Sequence, residues 1–276
     1  MSFKQSLLQV PVLGRSLLIA YRANEGFKNY FKKPTSTFVR WLFTSREMSN
    51  FTYDLTDSNK RYLSSFVSEV TGVDRKTILG YINEITENKE LPRHITEITE
   101  KSSMNFMADS YQLYGRRIGW YAFVRAAKPK VVVETGVDKG LGSLILTSAL
   151  MKNSEEGFEG FYYGTELDTR LGYLLTEPYS KFGKILYGDS IESLKKFQGK
   201  IDLFINDSDH SAEYEAAEYQ TVHSILSDNA IVLGDNAHIT DKLLDYAEQS
   251  GKKFLFFKEV PKDHWYPGAG IGVAFK

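Results

Sequence analysis

The sequence predicts an α/β protein: a doubly wound, seven-stranded, mostly parallel sheet carrying an N-terminal helical extension. Three observations predict it. The stretch VVVETGVDKGLGS (131–143) runs three valines into three glycines, and LILTSAL (144–150) follows, the pattern of a buried strand entering a helix through a tight loop. From residue 130 onward strand-like and helix-like segments alternate, which means parallel strands joined by crossovers. The last two strand-like segments, KFLFFKEV (253–260) and GIGVAFK (270–276), have no helix between them and are expected to pair antiparallel at one edge.

Up to about residue 127 the chain is helical in character and no strand is convincing. LTDSNKRYLSSFVSEV (55–70) opens with capping residues, DRKTILGYINEITE (74–87) spaces its apolar residues at three and four, and SYQLYGRRIGWYAFVRAA (110–127) is a third amphipathic helix ending before Pro129. The seven strands are then expected at 130–135, 160–166, 184–189, 201–207, 229–235, 253–260 and 270–276. Helices are expected near 142–152, 169–181, 212–226 and 239–250, with a short one after 189. This divides the chain into a helical region, 1–109, which would cover a substrate or build a dimer interface, and an α/β domain, 110–276.

Composition excludes several classes. Of 276 residues, 42% are hydrophobic and 25% charged, ordinary for a globular protein, and the formal net charge of -1 gives no pull toward nucleic acid. With no cysteine there is no disulfide framework, no thiolate nucleophile and no Cys-ligated zinc. The most apolar N-terminal stretch (6–21) is interrupted by Pro11 and Arg15, too broken for a membrane span or a standard signal peptide, so a cytoplasmic protein is the expectation. Residues 1–50 hold eight Lys or Arg against two Glu, with aromatics interleaved as in FKNYFKK (27–33). That is the pattern of a solvated helical face, or of weak peripheral contact with an anionic membrane surface or acidic substrate.

The glycine loop is the first candidate site. Free backbone N–H groups at a helix start attract nucleotide-like ligands, and glycines let them approach. Neither G-x-G-x-x-G nor G-x-x-x-x-G-K-[ST] is present, which argues against a dinucleotide or nucleoside triphosphate. What remains is E-x-G-x-x-x-G: Glu134, Gly136 and Gly140. A carboxylate there would repel a pyrophosphate but suits a ligand carrying an ammonium group. A turn with no ligand would show the same residues, so the later strand ends must discriminate.

That pattern resembles the first motif of class I S-adenosylmethionine-dependent methyltransferases, and seven strands with an antiparallel ending resemble their architecture over about residues 110–276. The resemblance implies a cofactor site at the strand ends: Glu134, Thr135, Gly136, Gly140 and Ser143 around the first, Glu166 accepting from both ribose hydroxyls after the second, and Asp189 with Ser190 binding adenine after the third. Asp168 and Asp189 also read as helix N-caps. A hydride-transfer enzyme fits the acidic second strand end but lacks the third glycine.

The remaining strand ends carry chemistry. IDLFINDSDHSAEY brings Asp207, Asp209 and His210 into four residues, and IVLGDNAH brings Asp235, Asn236 and His238 just past the fifth strand. If these strands are neighbours the groups converge on one mouth, and carboxylates with an amide oxygen are hard ligands suited to Mg²⁺. Turns after strands would use the same residues, and two histidines would also suit a transition metal. The D and DN positions resemble the metal site of catechol-type O-methyltransferases, implying Asp207, Asp235 and Asn236 as ligands. The D-S-D-H run resembles macrolide-sugar O-methyltransferases, implying His210 as general base with Asp209 orienting it. Those sugar enzymes usually have two acidic residues where this chain has Asp235 and Asn236. The expectation is therefore transfer of the S-adenosylmethionine methyl to a hydroxyl of a small-molecule or glycan acceptor, by a possible homo-oligomer. A metal-independent methyltransferase or a non-catalytic cofactor-binding scaffold are the alternatives. His264, Trp265 and Tyr266 read as a substrate wall or as core, and Tyr111, Tyr114 and Arg117 as groups able to close over a cofactor.

Overall fold

The computed structural model describes residues 11–47, 52–107 and 111–276; Lys4, the start of the apolar stretch at 6–10 and the first residue of the helix expected at 110 lie outside them. The chain divides into two compact units, one running to Ser45 and taking in Asp263–Pro267, the other holding Arg46–Lys262 and Gly268–Lys276.

The first unit contains α1 (Pro11–Gly26), a π-helical turn (Phe27–Phe31) and α2 (Lys32–Thr44). Pro34 lies in the first turn of α2 directly after the π-helical turn and has no N–H to donate to the carbonyls of that turn. One face of α2 packs Phe38 and Trp41 around Trp265, with ring centroids 5.4 and 5.1 Å away, and Lys33 pairs with Asp263 at 2.8 Å. Tyr30, Phe31 and Phe43 are exposed, Phe43 to 85%.

In the second unit, α3 (Asp57–Thr71) is capped by the Thr56 hydroxyl and closed by Gly72, and α4 (Arg75–Thr86) is capped by Asp74. A further helix, α5 (Glu90–Lys101), begins where the Asn88 side chain accepts from the N–H groups of Glu90 and Leu91 at 2.9 Å. The helix expected over 110–127 is shorter: α6 spans Arg117–Ala127. Gly115, at φ +52, packs against the Tyr53 ring and donates to the Tyr53 carbonyl at 2.8 Å, so the chain turns there before the helix starts.

The sheet has strands β1 (Val131–Thr135), β2 (Phe161–Glu166), β3 (Gly183–Tyr187), β4 (Ile201–Asn206), β5 (Leu226–Gly234), β6 (Lys253–Lys258) and β7 (Gly270–Phe275), in the order β3-β2-β1-β4-β5-β7-β6. The first five run parallel, and β7 pairs antiparallel with both β5 and β6. Helix α7 (Leu141–Glu155) follows β1 and is buried on nearly every face through Leu150, where only glycine and small hydroxyl residues interrupt its apolar side chains. α8 (Ser190–Lys196), α9 (Ala212–His223) and α10 (Lys242–Gln249) complete the alternation.

The helix expected at 169–181 does not form. Gly172, at φ +72, donates to the Asp138 carbonyl at 2.6 Å and Leu174 to the Lys139 carbonyl at 3.1 Å, so part of this backbone is bonded to the glycine loop, and only isolated turns form within the segment. Only a 3-10 turn at Tyr179–Phe182 follows, after Pro178.

Candidate active site

Strand order reverses between β1 and β4, the first leading outward to β2 and β3 and the second to β5 and β7. A crevice opens at the carboxyl ends of the strands at such a point. A cavity of about 570 Å³ lies there, and its wall includes Glu134, Gly136, Glu166, Asp189, Ser190, Asp207, Asp209, His210 and Asp235. Strand register explains the convergence. Thr135 pairs with Asn206 and Asn206 with Gly234, so Asp207 and Asp235, each one residue on, stand side by side.

Gly136 is required by close approach: at φ +83, a side chain there would run into the Asp207 carbonyl. Gly140, at φ +99, starts α7 from the left-handed region. Between them the Asp138 N–H donates to Glu166 Oε2 at 2.8 Å, while Glu166 Oε1 accepts from the Asp168 N–H at 3.0 Å. Each Glu166 oxygen keeps a lone pair for a ligand. Asp168 caps no helix; it pairs with Arg170. Asp189 does cap α8, accepting from the Glu192 N–H at 2.9 Å, and also from the Tyr214 hydroxyl at 2.7 Å.

Glu134 is buried against Gly142 and accepts from the Tyr162 hydroxyl. Burial, outweighing the Tyr162 hydrogen bond and the Arg117 charge, pushes its carboxyl up to about 7 from 4.5. The folded state therefore holds a proton that the unfolded state has released. That contribution is fully present below about pH 4.5 and is lost as pH rises through about 7, amounting to on the order of 3 kcal/mol. Urea titrations of the wild type and Glu134→Gln at pH 5 and pH 8 check this: the wild type is expected to lose stability relative to the variant as pH rises, and parallel curves would contradict it.

Asp207 and Asp235 stand side by side, and each is paired with an arginine. Arg116 Nε donates to Asp235 Oδ1 at 2.6 Å and its Nη2 to Oδ2; Arg117 Nη2 lies 3.4 Å from Asp207. Burial, then Asp235, pushes the Asp207 carboxyl well above the usual range, whereas at Asp235 burial acts upward but Arg116 outweighs it and holds the carboxyl down. This donor set does not fit the expected magnesium: both Asp235 oxygens already hold a guanidinium, and among the described residues no group of three or more acidic or histidine side chains is arranged to hold a metal ion.

Three expected site residues lie behind the wall. Neighbours on a strand face opposite ways, so while Glu134 meets the cavity, Thr135 donates to Glu218 at 3.1 Å. Ser143 is fully buried against the Tyr162 hydroxyl at 2.7 Å, and the side chain of Asn236 is buried with neither polar atom hydrogen-bonded. Asp209 accepts from the Ser211 N–H at 2.7 Å, and no bond joins it to the His210 ring among the described residues, so the expected orienting contact is not made. His238 is held by its Nδ1 on the Asp235 carbonyl at 3.0 Å and does not line the cavity, while His264, Trp265 and Tyr266 belong to the first unit. Of the residues expected to close over a cofactor, Arg117 reaches the wall, whereas Tyr111 is exposed and Tyr114 buried.

The residue that organises the site, Glu218, is not among those the sequence singles out. Fully buried on α9, it accepts from the hydroxyls of Ser190 and Thr135, from the Asn206 amide and from Ser208 at 2.7 Å, tying together the ends of β1, β3 and β4. A signal existed. Glu215, Glu218, Tyr219 and Val222 fall at helical spacing on one buried face, and two carboxylates in a core stripe must be hydrogen-bonded.

A family described as a methyltransferase domain matches residues 133–237. Among solved structures, a Klebsiella pneumoniae protein assigned as an O-methyltransferase aligns over 68% of this chain and 90% of its own, at 13% identity and a TM-score of 0.51. The O-methyltransferase TomG of Streptomyces achromogenes, involved in tomaymycin synthesis and solved in complex with SAM, aligns over 68% and 89%, at 13% identity and a TM-score of 0.50. At these identities the likeness is one of fold. Comparison with curated proteins finds no match.

Proposed function

We propose, from the match of a methyltransferase-domain family to residues 133–237, that the chain moves the methyl group of S-adenosylmethionine to a hydroxyl oxygen of a small-molecule or glycan acceptor. The observation that carries the reading is the cavity wall: a glycine loop with Glu134, then Glu166 and Asp189 on successive strand ends, and His210 on the same wall. TomG, solved with SAM, supports the choice of cofactor.

When bound, S-adenosylmethionine supplies a methyl already activated on a sulfonium. The protein then has two tasks, alignment and proton removal. Glu166 would accept from the ribose hydroxyls with its free lone pairs, and Asp189 with the Ser190 backbone N–H would hold the adenine. Glu134 would pair with the ammonium group, whose charge favours its ionised form. His210 takes the proton of the acceptor hydroxyl, a poor nucleophile at neutral pH until it is deprotonated. A magnesium-assisted version would require Asp235 to release Arg116, so the reading adopted is transfer with His210 as base and arginine as the local cation. No described helix is long and apolar enough to cross a membrane.

Thermal unfolding tests the cofactor. S-adenosylmethionine or its demethylated product at about 100 times its Kd should stabilise the protein by about 2.7 kcal/mol, and NAD should not. Equal stabilisation by NAD, or none by either S-adenosyl compound, would contradict the reading.

A further inference from the structure

We propose that Arg116 occupies the position a divalent cation would take at this mouth, so that the wild-type site excludes metal and its removal opens a cation site between Asp207 and Asp235. The catalytic consequence rests on the methyl-transfer reading; the cation-binding consequence stands on the geometry alone.

Arg116 is not a surface arginine that has folded inward. Its side chain is 11% exposed and that of Asp235 2%. The guanidinium forks onto both Asp235 oxygens, while its remaining nitrogen, Nη1, lies 3.2 Å from the Tyr53 hydroxyl and 3.4 Å from Glu259. Glu259 is in turn fixed by the Ala269 N–H at 2.6 Å and by Tyr53 at 3.0 Å. The arginine is thus held from behind by two acceptors that lie outside the mouth, and its position does not depend on Asp235 alone. Arg117, also on the cavity wall, reaches Asp207 while its guanidinium lies 5.1 Å from the Trp120 ring centroid.

A magnesium ion needs oxygen ligands at about 2.0–2.1 Å in near-octahedral geometry. At Asp235 each oxygen already accepts from a cationic donor, so an incoming dication would have to strip the bidentate pair and then sit beside the displaced guanidinium. A buried arginine cannot shed its charge to relieve this. Repulsion between the two is large in a poorly solvated site. The planar fork instead supplies a permanent positive charge at the wall, facing the place where an acceptor hydroxyl loses its proton to His210, with no metal to be acquired. In sequence the D and DN strand ends look like metal ligands because Arg116 is 119 residues from its partner.

Manganese binding, read by the loss of the free-ion paramagnetic resonance signal, tests this on the full chain. The wild type should take up no Mn²⁺ at these carboxylates. Arg116→Met should gain a Mn²⁺ site there, and the gain should disappear in Arg116→Met/Asp235→Asn. A wild-type site abolished by Asp207→Asn or Asp235→Asn overturns the proposal, as does Arg116→Met that folds without gaining one. If Arg116→Met does not fold, the wild-type titration decides by itself. Turnover of the wild type in excess chelator should equal turnover with Mg²⁺, and chelator-sensitive turnover also overturns the proposal. Absence of turnover under every condition would fail the methyl-transfer reading while leaving the Mn²⁺ arms intact.

Discussion

Glu218→Ala is expected to lower stability by at least about 3 kcal/mol and to abolish binding of S-adenosyl ligands. The carboxylate accepts from Thr135, Ser190, Asn206 and Ser208, all on strand ends that frame the cavity. Removing it leaves these donors around a void too buried for easy hydration, and each unsatisfied buried donor costs about 1–3 kcal/mol. Large single-residue effects arise from broken buried networks of this kind. Glu218→Gln separates packing from hydrogen bonding: it keeps the volume but turns one acceptor into a donor facing other donors, so it should fall between wild type and Ala. Urea unfolding reads both, with the midpoint shifting at constant slope. A loss under about 1 kcal/mol in Glu218→Ala would show that the strand ends hold their positions without this carboxylate.

His210→Ala is expected to lower kcat by about 10²- to 10⁴-fold, the usual contribution of general base catalysis, with the affinity for the cofactor nearly unchanged. His210 lines the mouth, whereas the proposed cofactor groups Glu166 and Asp189 lie at the end of β2 and after β3. Part of the lost rate should return at high pH, where the acceptor hydroxyl ionises without help. His238→Ala is the control. Its ring is fixed on the Asp235 carbonyl and burial pushes its pKa down, so it neither faces the cavity nor readily takes up a proton. Steady-state kinetics of the two variants decides, and a larger loss in His238→Ala would move the base to the end of β5.

The sheet was legible because parallel strands buried on both faces leave short apolar runs, and each run here ends in a polar residue that the register delivers to one edge. Glu134, Glu166, Asp189, Asp207 and Asp235 could be found that way, since a strand end is a position in sequence as well as in space. Which face a residue takes at that end was not legible. Thr135 and Ser143 sit in the same motif as Glu134 and Gly136 but turn toward α9 and Tyr162. Partners far apart in sequence were invisible as well. Arg116 reaches Asp235 and Glu259, and nothing near Arg116 announces either. The missing helix at 169–181 had an apolar pattern, but Gly172 takes a left-handed conformation and the segment bonds to the loop at 138–139 instead.

The cavity at the ends of β1 to β4 is proposed as an S-adenosyl site that Glu166 helps to hold. Isothermal titration with S-adenosylhomocysteine tests this most directly. One site per chain is expected, weakened by about 10- to 150-fold in Glu166→Ala, the equivalent of losing about 1.5–3 kcal/mol of charge-assisted hydrogen bonding. No binding to the wild type, or affinity unchanged in Glu166→Ala, would contradict it.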